Sequence, residues 1–132
     1  MPSIFTRIIQ GEIPAYKIAE NEHFIAILDA FPNTRGHTLC IPKAEVNKFY
    51  EMEQSTFTGL MSFSHQIAAS LEKAIPCKRI GMAVVGLEVP HVHVHLIPLN
   101  HMSDMDFTQK KKVFTAEEFQ ETLAQIKAQL AV

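Results

Sequence analysis

The chain has 132 residues, of which 47% are hydrophobic and 20% charged, and its formal net charge is −2. This size and composition predict one globular domain, spanning 1–132, that buries a core without cross-links. The near-neutral charge excludes the basic field that attracts nucleic acid polymers or anionic membranes. Cys40 and Cys77 have no metal-binding spacing, and no apolar run suits a signal peptide or a membrane span. We therefore expect a cytoplasmic protein with no polymeric nucleic acid or membrane partner.

Hydrophobic periodicity predicts helices where apolar residues follow a helical repeat, and strands where short apolar runs end in turn residues. In chain order the predicted elements are a short helix at Ile4–Ile9, strands at Tyr16–Ala19, Phe24–Leu28 and His37–Ile41, a long helix with an apolar face from Phe57 to Leu71, strands at Arg79–Val85 and Val92–Ile97, and a helix from the capping box Thr115–Glu118 to about Leu130. Most consecutive strands are separated by short turns, including the hairpin connection 86–90. The predicted fold class is therefore α+β, with a five-stranded antiparallel meander sheet and two main helices.

The segment 91–96 alternates His91, His93 and His95 with apolar residues. In a strand, alternate side chains share a face, so the three imidazoles are expected to face outward together, while the apolar residues face the core. Neighbouring imidazoles would lie roughly 6.5 to 7 Å apart, about the span of a phosphoryl group with its attacking and leaving atoms.

Two kinds of chemistry suit this spacing. Neutral imidazole is a nucleophile that can form a phosphoramidate, which water later hydrolyses. Imidazole is also a common metal ligand, and a metallohydrolase could complete its ligand set with Glu88 or His37. The spacing alone leaves both interpretations open.

The run from His91 to Pro98 resembles the HxHxHxx signature of the histidine triad superfamily. Further stretches resemble the same family in order and spacing: Ile4-Phe-Thr-Arg-Ile-Ile-Gln-Gly-Glu-Ile-Pro14, Leu28-Asp29 and Gly36-His-Thr-Leu-Cys-Ile-Pro-Lys43. The branch that the chain resembles most is that of the histidine triad nucleotide-binding proteins. The resemblance implies a family core over 3–100, a C-terminal extension whose helix covers about 115–130, and a sheet extended across a homodimer.

The resemblance also implies an activity. Members of this branch hydrolyse nucleoside 5'-phosphoramidates and related adenylates at the α-phosphate through a covalent nucleotidyl-histidine intermediate, and need no cofactor or catalytic metal. By this resemblance His93 is the nucleophile, His95 binds the α-phosphate, His91 orients the triad, and His37 supports proton transfer from behind the nucleophile. The expected ligand is a purine nucleotide similar to AMP.

The resemblance assigns the nucleotide contacts as well. Asp29 would accept hydrogen bonds from the ribose hydroxyls, as an ionised carboxylate can. Apolar side chains at Phe5, Ile13 and Ile27 would line the base pocket. The remaining expected nucleotide-binding residues are Gly86, Glu88, Val89, His93, His95 and Asn100.

The chain departs from the family pattern at a structural zinc site. Many bacterial relatives bind zinc at the positions that match Ser3, Thr6, Glu45 and His91 here. Serine and threonine hydroxyls are poor zinc ligands, so we predict no structural zinc.

A second departure precedes the triad. A polar stretch that contacts phosphates in relatives is replaced by Gly86-Leu-Glu-Val-Pro90. Leu87 cannot donate a hydrogen bond, and Glu88 would repel a phosphate if it faced the site. Backbone amides of this stretch, or Asn100, would have to compensate. A nucleotide sensor with little catalysis is therefore the alternative to an enzyme.

Overall fold

The computed structural model describes residues 2–130; Met1, Ala131 and Val132, the ends of the predicted domain span, lie outside the described part. The elements are helix α1 (Ile4–Ile9), strands β1 (Lys17–Glu20), β2 (Phe24–Leu28) and β3 (Thr38–Pro42), helix α2 (Gln54–Ala74), strands β4 (Arg79–Ala83) and β5 (Val94–Leu99), and helix α3 (Ala116–Lys127). Over 2–130, none of the helices combines the length and apolar character that a membrane span requires.

The strands form one five-stranded antiparallel sheet in the order β1-β2-β3-β5-β4, which confirms the α+β class. The order differs from a simple meander at one point. Helix α2 carries the chain from β3 to the sheet edge, where β4 forms, and β5 then returns between β3 and β4. Strand β5 therefore pairs on both sides, with Leu39 of β3 and Ala83 of β4 both opposite His95.

Both faces of the sheet are covered, and β2 shows how the sequence achieves this. Successive strand residues point to opposite faces. Phe24, Ala26 and Leu28 contribute to the core under α2 and α3, whereas Ile25 and Ile27 pack in a second cluster beside α1. All five residues of β2 are therefore buried.

The two main helices cover the first face. Helix α2 buries Leu60, Phe63 and Leu71 against the sheet. Helix α3 begins at the predicted capping box: the Glu118 backbone N–H donates to Thr115 Oγ1 (3.1 Å), and Glu118 Oε1 accepts from the Thr115 N–H (2.8 Å). The helix ends at Lys127, before the predicted end near Leu130.

The predicted boundaries of the strands need correction around the triad. Strand β5 begins at Val94, so His91 and His93 lie in the connection 84–93 that joins β4 to β5. The reason is a competing partner: the Val92 N–H donates to the carbonyl of Val46 (2.8 Å), and pairing with β3 starts only at Val94. The alternation of faces persists, since Val92 and Val94 both lie in the core under α2.

Candidate active site

A cavity of about 570 Å³ opens on the α1 face of the sheet. Its walls come from α1, the end of β2, the connection 85–89, His93 and His95, and the segment 107–111. The expected nucleotide-binding residues that line it are Phe5, Ile13, Ile27, Asp29, Gly86, Glu88, Val89, His93 and His95. The structure therefore brings together residues from several separate parts of the chain.

Asn100 is not among the residues that line this cavity. It lies at the far end of β5 from His95, where its N–H donates to Asp104 Oδ2 (2.8 Å) and its Oδ1 accepts from the Lys78 N–H (3.1 Å). Asn100 is thus engaged in a turn, and the structure does not bring it to the cavity with the other expected nucleotide-binding residues.

The strand alternation alone predicted that the imidazoles face outward, but in the structure they are buried. The exposed fraction is 0% for His91, 7% for His93, 8% for His95 and 1% for His37. Packing from α1 covers two of these rings: the ring of Phe5 lies edge-on to His91 and His93, with centroid distances of 5.8 and 4.8 Å. The histidine side chains therefore lie in an environment from which water is largely excluded.

A backbone N–H determines which nitrogen of His37 carries the proton, and His37 in turn determines this for His95. His37 Nδ1 accepts from the Asn33 N–H (2.9 Å), so the neutral ring carries its proton on Nε2. His37 Nε2 then donates to His95 Nδ1 (2.9 Å). His95 is left with its proton on Nε2, the nitrogen that has no protein partner among residues 2–130 and is available to donate to a ligand.

The same reasoning assigns His93 and His91. His93 Nδ1 donates to the His91 carbonyl (2.7 Å), which leaves a lone pair on His93 Nε2. His91 Nε2 donates to the Pro42 carbonyl (2.8 Å), and His91 Nδ1 accepts from the Ser3 hydroxyl (2.6 Å). His91 and His37 do not line the cavity. They form hydrogen bonds with His93 and His95, which do line it.

Burial keeps these rings neutral. Desolvation, with smaller contributions from neighbouring charges, lowers the pKa of His37 to about 3 and that of His95 to about 4. Burial also lowers the pKa of His93, although the His91 carbonyl opposes that shift. At neutral pH the site therefore holds uncharged imidazoles, one with an available lone pair and one with an available N–H.

Asp29 stands beside His37 because the two residues flank the β2–β3 connection. The Asp29 N–H donates to the His37 carbonyl (2.9 Å), and Asp29 Oδ1 accepts from the Phe31 N–H (2.9 Å). Asp29 Oδ2 lies 3.5 Å from His37 Nε2. Burial is the largest influence on the Asp29 carboxyl and raises its pKa. An acceptor group thus lies at the cavity wall.

The four positions that match a zinc site in relatives do meet, as a hydrogen-bonded cluster. Glu45 Oε1 accepts from the Ser3 N–H (2.7 Å) and from the Thr6 hydroxyl (2.6 Å), while Ser3 Oγ contacts His91. The Ser3 N–H is the largest influence on the Glu45 carboxyl and lowers its pKa. These partners satisfy one another and tie α1 to the triad.

The donor set does not fit a three-histidine metal centre. Both nitrogens of His91 and one each of His93 and His95 are engaged in hydrogen bonds within the chain. Asp29, His37 and His95 bring ligand atoms within 4.8 Å of one another, but both His37 nitrogens already have partners. A metal there would have to break the contacts that orient His95.

Sequence reasoning missed the segment that closes the cavity beyond the triad. The ring of Phe107 lies 4.7 Å from that of His95, and Lys111 Nζ lies 5.2 Å from the centre of the Phe107 ring. Lys111 Nζ donates to Oδ1 of the buried Asn33 (2.5 Å). The basic run 110–112, in a chain of net negative charge, was the available signal.

The connection before the triad forms the outer rim. Gly86 has φ +75°, which other residues rarely adopt, and so permits the tight turn there. Glu88 is exposed at the rim, and Leu87 is 91% exposed. Neither side chain supplies the polar phosphate contacts expected from the family pattern.

Comparison with known proteins identifies the family. A family model described as the HIT domain matches residues 10–102. A HIT-like protein of Mycoplasma genitalium is 40% identical over 100 residues, which cover 72% of this chain and 71% of that protein. The adenosine 5'-monophosphoramidase of Saccharomyces cerevisiae is 33% identical over 96 residues, covering 72% of this chain and 61% of the yeast protein.

A solved structure is similar over nearly its whole length. The HIT-like protein of Bartonella henselae, described as involved in cell-cycle regulation, has a TM-score of 0.85 and 26% identity, with 97% of this chain and 96% of that chain covered. The buried histidines, the cavity and the family match over 10–102 agree, and the chain belongs to the histidine triad (HIT) family.

Proposed function

We propose that this protein is a nucleotide-binding hydrolase that cleaves nucleoside 5'-phosphoramidates or related adenylates at the α-phosphate, with His93 as the nucleophile. The observation that carries the proposal is the contact from His93 Nδ1 to the His91 carbonyl (2.7 Å), which directs the proton away from Nε2 in a residue that lines the cavity. The yeast relative named as an adenosine 5'-monophosphoramidase supports this choice of reaction.

The lining of the cavity suits a nucleotide that binds in one orientation. Its apolar wall of Phe5, Ile13 and Ile27 would hold a purine base without close reading of its edges. Asp29 Oδ2 would accept from the ribose hydroxyls. The 5'-phosphate would then lie against His93 and His95, where the Nε2–H of His95 can donate to a phosphate oxygen.

The reaction proceeds in two displacements. The lone pair of His93 Nε2 forms a bond to phosphorus, and the phosphorus–nitrogen bond breaks with its electron pair on the departing amine, which takes up a proton. Water then attacks phosphorus, the bond to His93 breaks, and the nucleoside monophosphate leaves. The proton consumed in the first step is returned when water is split, so the cycle balances without a metal.

The test compares His93→Ala with His65→Ala, since His65 is exposed on α2 away from the lining residues. With a fluorogenic adenosine phosphoramidate, His93→Ala should lower turnover by at least about a thousandfold, while AMP binding persists. His65→Ala should keep wild-type turnover. Mass spectrometry of a rapidly quenched wild-type reaction should show the nucleotidyl adduct. Turnover that persists in His93→Ala would eliminate covalent catalysis by this residue.

A nucleotide sensor is the second candidate, and the exposed Leu87 and the rim carboxylate of Glu88 favour it. The same assay separates the two functions. An enzyme releases amine from the phosphoramidate in many turnovers, whereas a sensor binds AMP and releases none.

We also propose the homodimer that the family resemblance implies. Strand β4 is an edge strand, and Met82 and Val85 are each 47% exposed at or just beyond it. Sedimentation equilibrium should give twice the chain mass of 14.9 kDa, and a monomer at micromolar concentration would contradict the proposal.

A further inference from the structure

Lys111 occupies a defined position at the cavity. Its ammonium group donates to Oδ1 of Asn33, a side chain only 1% exposed, and lies 5.2 Å from the centre of the Phe107 ring. Phe107 in turn packs against His95. The lysine is thus held on the His95 side of the cavity by a buried amide and an aromatic face.

The ammonium group has capacity beyond these contacts. Lysine offers three N–H donors, and the hydrogen bond to Asn33 uses one. Since Lys111 lines the cavity, its other donors can reach a ligand there. A cation–π contact adds attraction without using a donor.

Charge balance in the cavity gives this lysine a role. Asp29 and Glu88 contribute negative charge to the lining, and the buried imidazoles of His93 and His95 are neutral. Lys111 is the cationic side chain among the lining residues. Without it, a phosphate dianion would meet two carboxylates and no positive charge, which is strongly unfavourable in a partly dry cavity.

We propose that Lys111 is a specificity-determining residue that binds the 5'-phosphate of the nucleotide on the His95 side. Its ammonium group replaces part of the phosphate recognition that Leu87 and Glu88 cannot supply. The inference rests on the proposed nucleotide site, and it adds a residue that neither the triad motif nor the segment before it contains.

The test is a comparison of AMP with adenosine, which differ only in the phosphate. Affinities are measured by calorimetry for the wild type, Lys111→Met, Lys111→Arg and the neighbouring control Lys112→Met, whose exposed side chain does not line the cavity. Lys111→Met should weaken AMP binding by about tenfold to a hundredfold and leave adenosine binding unchanged. Lys111→Arg should retain most of the AMP affinity, and Lys112→Met should match the wild type.

Other outcomes overturn the inference. A lysine that merely supported Asn33 and His37 would lower turnover without changing the ratio of AMP to adenosine affinity. A wild-type ratio near one, or an equal loss of both affinities in Lys111→Met, would likewise refute phosphate binding by this residue. Amine release from a phosphoramidate is measured separately, so failure of the catalytic proposal leaves this binding test intact.

Discussion

His37 Nε2 donates to His95 Nδ1 across 2.9 Å, joining residues that are 58 positions apart in the chain. Because the Asn33 N–H occupies the other nitrogen of His37, this contact sets the tautomer of His95 and not merely its orientation. The support expected of His37 therefore reaches His95, whose outer N–H can contact a phosphate.

This relationship predicts different effects for two substitutions at His37. His37→Leu removes the donor, and turnover of a nucleoside phosphoramidate should fall by about tenfold or more because His95 can then carry its proton on the wrong nitrogen. His37→Gln keeps a side-chain N–H and should recover part of the loss. Steady-state kinetics on variants with matched circular dichroism spectra provide the measurement. Wild-type turnover in His37→Leu would show that the hydrogen bond has no catalytic effect.

The buried histidines predict that acid destabilises the fold. The folded pKa is about 3 for His37 and about 4 for His95, below the unfolded value of about 6.5. The unfolded chain therefore binds more protons below pH 6.5, so stability is fully present above that pH and is lost as pH falls toward the folded values. Each such group contributes up to about 1.4 kcal/mol per pH unit.

Urea unfolding between pH 7.5 and pH 5 measures this effect. Asp29, whose folded pKa is raised by burial, acts in the opposite direction and offsets part of the decline. His37→Gln should flatten the decline because it removes one of the titrating groups. A free energy of unfolding that is equal at both ends of the range would contradict the prediction.

The cluster around Ser3 predicts a stability effect. Ser3→Ala leaves Nδ1 of the fully buried His91 without its donor and also removes the side-chain cap that accepts from the Thr6 N–H. The loss should be about 2 kcal/mol in the free energy of unfolding. Ser55→Ala is a matched control, because within residues 2–130 the Ser55 hydroxyl donates only to the exposed Glu53 carboxylate. Similar losses in the two variants would mean that the contact with His91 contributes nothing.

Asp29 predicts selectivity for ribose. Asp29→Asn keeps an oxygen for the Phe31 N–H but replaces the second acceptor oxygen with an amide group that cannot accept. The preference for AMP over 2',3'-dideoxy-AMP should therefore fall by about tenfold. Glu22→Gln, at an exposed position, is the control for a lost negative charge. An unchanged preference in Asp29→Asn would place ribose recognition elsewhere.

Local patterns in the sequence were enough to predict much of this protein. Side-chain alternation placed Val92 and Val94 in the core and the three histidines on the opposite side, although His91 and His93 precede the strand itself. The capping box at Thr115 and Glu118 predicted where α3 begins. These features depend on neighbouring residues, and a single sequence contains the information for them.

The tertiary structure alone decided the hydrogen-bond network of the site. The proton positions on the four histidines follow from Asn33, Pro42, Ser3 and the His91 carbonyl. Lys111 and Phe107 reach the cavity, whereas Asn100 turns away from it. Hydrogen bonds between distant segments carry no periodic signal in the sequence, because their partners are brought together only when the sheet and its covering segments pack.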